Sequence, residues 1–303
     1  MRTSGVRAVR VAFSWADAQP VAGGPTSFDT TDRLVLAAAR AGIAVQPVAL
    51  YSPPWAADSL LSPPDAAAYA AYLTALVGRY GPAGTLWAEH ADVGPQPVRG
   101  WEVWNEPDLS TFWTAQPAWA VPYVALLRAS YLAVKAADPS ASVIAAGLPF
   151  AGWKELGKLY AAGGGRWFDE ANLHPFTRRP KDVLKIVELT RRVMAAHGDA
   201  AKPLRITEMS WPSSVGHPTH TFGWETTEHG QAALIRQALP LLAAARTRYR
   251  LSALDWYTWV SPPFGTTPGS FGYAGLTRVN DAGAIVSKPA LAAWRQTVAK
   301  LTR

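Results

Sequence analysis

Short apolar runs alternate with longer amphipathic ones from end to end of the chain. The apolar runs at 6–15, 43–51, 98–104, 142–148, 167–173, 204–208 and 251–259 read as strands. Between them, apolar positions recur at helical spacing over 32–41, 65–80, 119–137, 181–197, 226–245 and 288–301. Gly42, Gly81 and Gly198 stand just past three of these helices, and Asp138-Pro139 past a fourth, where stop signals belong. Asp32 and Asp65 sit where a capping or first-turn carboxylate belongs, and Pro240 interrupts the fifth helical pattern. Strands that are apolar almost throughout, each followed by a helix, predict a parallel sheet covered on both faces. No Gly/Ser/Pro linker or repeat beyond the βα unit divides the chain, so one domain over 1–303 is expected.

Two α/β architectures fit, a doubly wound sheet and a closed (β/α)8 barrel. No Gly-x-Gly-x-x-Gly follows a strand. Gly163-Gly164-Gly165 precedes the run at 167 and leads into a strand, not a helix. Nucleotide binding is therefore disfavoured, and the TIM barrel is the expected fold. The pattern supplies seven strands where a barrel wants eight.

A hydrophobic fraction of 49% with 17% charged residues describes a globular protein. No apolar run reaches the ~18 residues of a membrane span, and the N-terminus has no apolar signal-peptide core. With no cysteine, disulfides, thiolate chemistry and Cys-ligated metal are excluded, while the compartment stays open. The net charge of +7 comes from scattered arginines with short clusters at 178–181 and 246–250. These read as solvated helix faces rather than a nucleic-acid surface. Fourteen tryptophans against three methionines are more telling, because an indole face suits a sugar ring as well as a core.

Two runs carry a carboxylate where the strand should give out. Residues 101–108 read Trp-Glu-Val-Trp-Asn-Glu-Pro-Asp, and 206–211 read Ile-Thr-Glu-Met-Ser-Trp. Carboxylates are rarely buried unless paired. Each Glu alone fits a helix cap or an Arg partner equally well. Both together, at the C-terminal ends of barrel strands that open on one face, fit acid/base and nucleophilic work on a glycosidic bond.

On Trp104-Asn105-Glu106-Pro107 and Thr207-Glu208 the chain resembles the glycoside hydrolases of clan A, most nearly families 39 and 5, over nearly its whole length from Val6. The resemblance implies a retaining β-glycosidase without metal or organic cofactor, acting on a carbohydrate. It makes Glu106 the acid/base at the end of the family's fourth strand and Glu208 the nucleophile ending the seventh, with carboxyl groups roughly 5–5.5 Å apart. Asn105 matches the residue that binds the sugar 2-hydroxyl, and Arg10 the second-strand Arg that bonds the nucleophile. An Arg10–Glu102 ion pair is the competing reading. His174, in Leu173-His174-Pro175-Phe176, matches the sixth-strand His lining the sugar site, and Trp256 the eighth-strand platform. Trp55, Trp211 and Trp259 are cleft candidates for which packing is equally expected.

Two departures from the family stand out. Many relatives carry His-x-Tyr on the sixth strand, where this chain has Phe176; another hydroxyl, such as that of Tyr257, would have to bond the nucleophile. Relatives also begin with a strand and helix before the Arg-bearing strand, whereas Met1 falls a few residues ahead of it. A barrel with its first βα unit missing or replaced is therefore expected. A start at an internal Met, a seven-stranded closure and a substitute segment each explain this, the first being favoured. A catalytically silent carbohydrate-binding barrel is the alternative function, and a polyanion-binding barrel a weaker third. Sugar identity, endo or exo action and oligomeric state are not encoded legibly.

Overall fold

The computed structural model describes residues 1–217, 220–266 and 269–302. Strands β1 (Ala8–Ser14), β2 (Ala44–Leu50), β3 (Gly100–Val103) and β4 (Ser142–Ala145) pair in that order, all parallel. So do β5 (Leu148–Pro149), β6 (Ala171–His174), β7 (Leu204–Ile206) and β8 (Leu251–Leu254). The two sheets form one arc, because β4 and β5 are halves of the single expected run 142–148, and Ile144 bridges Glu170 just ahead of β6. Counted this way, seven barrel strands are present, as the apolar pattern predicts.

The helices are α1 (Trp15–Ala18), α2 (Asp29–Arg40), α3 (Ala66–Tyr80), α4 (Thr85–Glu89), α5 (Ala120–Ala137), α6 (Gly152–Ala161), α7 (Pro180–Ala196), α8 (Glu228–Tyr249) and α9 (Pro289–Leu301). Their ends follow local chemistry. Asp65 caps α3 by accepting from the Ala68 amide, and Thr227 caps α8 by accepting from Gly230. Proline opens α7 and α9, where its missing N–H costs nothing.

Three stretches depart from the sequence expectation. The run at 167–173 is a strand only from Ala171; Gly164–Trp167 forms a 3-10 turn, and Asp169 accepts from the Val143 amide to start the pairing. Helix α6 was not among the expected helices, although Leu156, Leu159 and Tyr160 recur at helical spacing and bury one face. The run at 251–259 ends as a strand at Leu254. Beyond it a small sheet forms from β9 (Val260–Ser261), β10 (Thr277–Val279) and β11 (Ile285–Ser287).

Among the described residues no ladder joins β8 back to β1. The fold is a (β/α)8 barrel without its first βα unit, open along one seam. A cavity of about 1240 Å³ fills that seam, lined by apolar residues of β1, α2 and the β8 end such as Val9, Ala38 and Leu254. It reaches Asn105 and Glu208 at the top. At the bottom, Arg2–Ser4 turns against α9: Trp294 Nε1 donates to the Ser4 carbonyl at 3.1 Å, and Arg295 donates to Ser4 Oγ at 2.8 Å.

That clasp ties the chain ends together across the open side. Trp294→Ala removes a nearly buried indole and the Ser4 bond, and is expected to cost roughly 3–5 kcal/mol of stability in urea unfolding. A loss under about 1 kcal/mol would mean that α9 does not hold the seam.

Candidate active site

The C-terminal ends of the parallel strands share one face, and backbone strain gathers there. Among the described residues, Tyr51 after β2, Trp104 and Glu106 after β3, and Phe150 after β5 all take positive φ without being glycine. Each such conformation costs about 1–3 kcal/mol and persists only where surrounding contacts impose it. Trp104 shows how: it is fully buried, its amide donates to Ala49, and its indole donates to the Phe112 carbonyl at 2.7 Å. The turn it locks presents Asn105 and then Glu106.

Below this face lies a carboxylate that solvent does not reach. Glu102 accepts from Arg10 Nε at 2.7 Å and Nη2 at 2.8 Å, from Gln46 at 3.0 Å and from Asn172 at 2.9 Å. The remaining Arg10 nitrogen, Nη1, donates to Glu208 Oε1 at 2.6 Å, while Nη2 also donates to Asn105 Oδ1 at 2.7 Å. Arg10 thus serves both partners weighed for it. Glu208 takes its hydrogen bond from this guanidinium. The phenol of Tyr257 makes no hydrogen bond to it among the described residues, so the hydroxyl expected in compensation for Phe176 is not supplied that way.

A second chain of bonds runs to Glu106. Asn172 uses its amide N–H on Glu102, so its Oδ1 accepts from the Thr207 hydroxyl at 2.9 Å. Having given its proton to Asn172, Thr207 Oγ1 must accept from His174 Nε2, 2.9 Å away. Burial drives the His174 pKa down to about 4, so the ring is neutral and its Nδ1 is bare. Nδ1 lies 2.7 Å from Glu106 Oε1, a contact that becomes a hydrogen bond when Glu106 carries the proton. Burial independently raises Glu106 to about 7, against the opposing charge of Arg10. Gly147 makes room for this ring: a Cβ there would lie 2.0 Å from His174 Nε2.

Glu106, His174 and Glu208 converge, with one ligand atom of each within 4.8 Å of the others. Such a set could hold a divalent cation, but Arg10 already places a positive charge on Glu208. The other expected residues divide. Trp256, Tyr257 and Trp259 line the cavity, with Trp256 Nε1 committed to the Ala274 carbonyl. Trp211 is fully buried, donates to the Thr177 carbonyl and packs beside Trp256, outside the lining of the seam cavity. Trp55 donates to the Gln19 carbonyl and packs on Trp15, outside the cavity lining.

Sequence reasoning did not single out Asn172, Gln46 or Asp255. The first two are polar residues inside otherwise apolar strands, and Asn172 lies two residues before His174, on the same inward face. That alternation was the available signal. Asp255, after β8, is raised to about 7 by burial, and its Oδ2 has no partner among the described residues.

As a sequence, the chain matches no protein-family model and no curated protein. As a structure, it is similar to a family 39 glycoside hydrolase from the gut symbiont Bacteroides cellulosilyticus WH2. The TM-score is 0.73 at 20% identity, over 99% of this chain and 59% of that one. A family 39 β-xylosidase from Caulobacter crescentus matches with TM-score 0.72 at 22% identity, over 98% of this chain and 65% of that one. A fungal β-1,4-galactanase matches at 0.63 and 16%, over 97% and 89%. The likeness is one of fold, the barrel that these glycoside hydrolases share. The chain spans less than two thirds of the length of these family 39 structures.

The bond chain predicts how Glu106 titrates. Carboxyl-carbon NMR is expected to show it half-protonated near pH 7. In Thr207→Val the His174 proton is free to move to Nδ1 and donate to the Glu106 carboxylate, so the midpoint should fall by about one pH unit. An unmoved midpoint would mean that the ring's tautomer is set elsewhere.

Proposed function

We propose that the chain, acting as one catalytic unit over 1–303, is a retaining glycoside hydrolase that cleaves β-O-glycosidic bonds of an oligo- or polysaccharide. The observation that carries this reading is the convergence of Glu106 and Glu208 within 4.8 Å, with environments of opposite character. Such an approach of single carboxylate oxygens suits the roughly 5–5.5 Å separation of a retaining pair better than the roughly 6.5–9.5 Å of an inverting one. Burial and the neutral His174 hold Glu106 in its acid form, while Arg10 pairs with Glu208 as a carboxylate.

In the first step Glu106 protonates the leaving oxygen as Glu208 attacks the anomeric carbon, giving a glycosyl-enzyme. Glu106, now a carboxylate, takes a proton from water, which attacks the same carbon and releases Glu208. Asn105 spends its Oδ1 on Arg10 and so presents Nδ2 as a donor to a sugar hydroxyl. Trp256 and Trp259 offer ring faces along the cavity. The family 39 β-xylosidase and the β-1,4-galactanase to which the chain is similar act on β-linked sugars, which supports a carbohydrate substrate here.

A second reading, carbohydrate binding without turnover, is favoured by the seam cavity that reaches Glu208. Calorimetric affinity for oligosaccharides without any hydrolysis would select it.

Glu208→Ala is expected to lower kcat on aryl β-glycosides by at least about 10⁴-fold. Glu106→Ala should retain far more activity on 2,4-dinitrophenyl glycosides, which need no proton, than on alkyl glycosides. Equal losses on both would refute the role of Glu106. For alkyl glycosides, kcat/KM should be high below pH 7 and fall above it, as Glu106 loses the proton it must donate.

A further inference from the structure

The loops after β5, β6, β7 and β8 assemble an aromatic wall that the mechanism above leaves unused. Phe176, Trp224 and Phe222 stack nearly parallel, with centroids 6.2 Å and 4.9 Å apart. Phe150 packs on Trp224 at 5.7 Å, Phe271 joins Phe176 at 4.9 Å, and Tyr257 meets Phe271 at 5.7 Å. Phe176 is buried beneath, whereas Phe150 and Phe222 are 36% and 41% exposed. Phe150 also holds a strained positive φ of 50°, and its amide donates to the His174 carbonyl. A backbone strained to keep a phenyl ring in solvent is unexplained by packing.

The wall's position relative to the acid gives it a role. His174 contacts Glu106 through Nδ1 and Phe176 through its ring, with centroids 6.3 Å apart. The leaving group departs on the side of the proton donor, so the wall borders the path of the aglycone. Tyr257 joins the two regions: it lines the seam cavity with Arg10, Asn105, Trp256 and Trp259, and its ring meets Phe271 of the wall. Among the six wall residues only Trp224 Nε1, which is buried without a partner among the described residues, and the Tyr257 hydroxyl offer polar atoms. Sugar hydroxyls turned toward the wall would meet only these two polar groups, so a second sugar gains there only by stacking an apolar face. A flat apolar group loses no such bonds and gains edge and face contacts with the rings.

We infer that this wall is an aglycone subsite for an aromatic group, making the preferred substrates β-glycosides of aromatic alcohols rather than longer sugar chains. The inference rests on the glycoside hydrolase reading and narrows its substrate: the bond cleaved is to an aromatic alcohol in place of a further sugar of an oligo- or polysaccharide. Its test compares 2-phenylethyl and ethyl β-glycosides of one sugar, whose leaving alcohols have nearly equal acidity, so the ratio reads ring contact alone. The sugar is the one selected by an aryl glycoside screen. The phenylethyl compound is expected to have a kcat/KM about tenfold higher, and also to exceed the corresponding disaccharide. In the Phe150→Ala/Phe222→Ala variant the phenylethyl-to-ethyl ratio should collapse toward one. A ratio near one in the parent protein, or a disaccharide turned over as well as the phenylethyl glycoside, would overturn the subsite. If the screen finds no turnover at all, the glycosidase reading fails separately. The subsite is then read by calorimetry with phenylethyl and ethyl xylosides, glucosides, galactosides and mannosides. About tenfold tighter binding of any phenylethyl member supports it, and no difference across the set overturns it.

Discussion

The site is organised around the Glu102 carboxylate, which never meets solvent and must therefore be satisfied from within the barrel. An unpaired charge there would cost several kcal/mol or more, so its four donors are a structural requirement. Meeting that requirement fixes two arms. One is Arg10, whose bidentate grip on Glu102 leaves Nη1 aimed at Glu208. The other is Asn172, whose committed amide dictates the Thr207 hydroxyl, the His174 tautomer and, at the end, a proton on Glu106. One buried carboxylate is thus linked through one arm to Glu208 and through the other to Glu106, two carboxyl groups that stand only a few ångströms apart.

This division explains why bare proximity does not make the pair fail. Two adjacent carboxylates repel, and repulsion alone does not say which one keeps the proton. Here the asymmetry is built in by the neighbours: a cation and its hydrogen bond on one side, burial and a bare imidazole nitrogen on the other. The strained backbone at Trp104 and Glu106 belongs to the same arrangement, since it turns the chain sharply enough to bring Glu106 over His174.

Much of this was legible in the sequence where a local signal existed. Apolar runs marked the barrel strands, stop signals marked helix ends, and two strand-terminal Glu residues marked the site. What was not legible depends on what a side chain meets in space. Trp211 and Trp256 look alike as letters beside a strand end, yet one has its indole buried against Thr177 while the other faces the cavity. Arg10 was readable as a partner of either Glu102 or Glu208 because spacing along a strand cannot show that one guanidinium serves both. Helix α6 was legible in principle, since Leu156, Leu159 and Tyr160 mark one apolar face at helical spacing, but it is a single short element between two glycine-containing stretches.

The open seam makes the polar interior do a second job. Among the described residues, strands β1 and β8 each lack a neighbour on one side, so the perimeter ladder cannot by itself fix their spacing. Cross-barrel bonds do what the perimeter does not. Arg10 ties β1 to Glu102 on β3, Arg205 on β7 reaches Gln46 on β2, and Ser252 on β8 donates to Glu170 at 2.6 Å. Glu170 also accepts from Arg205 and from Ser142 on β4, so each free edge is fastened to strands well inside the arc. Breaking a buried pair of this kind typically costs 3–5 kcal/mol, comparable to the loss of a core side chain. Arg10 and Glu102 are common to both sets of contacts, so the bonds that surround Glu106 and Glu208 also help to hold the unclosed barrel in register.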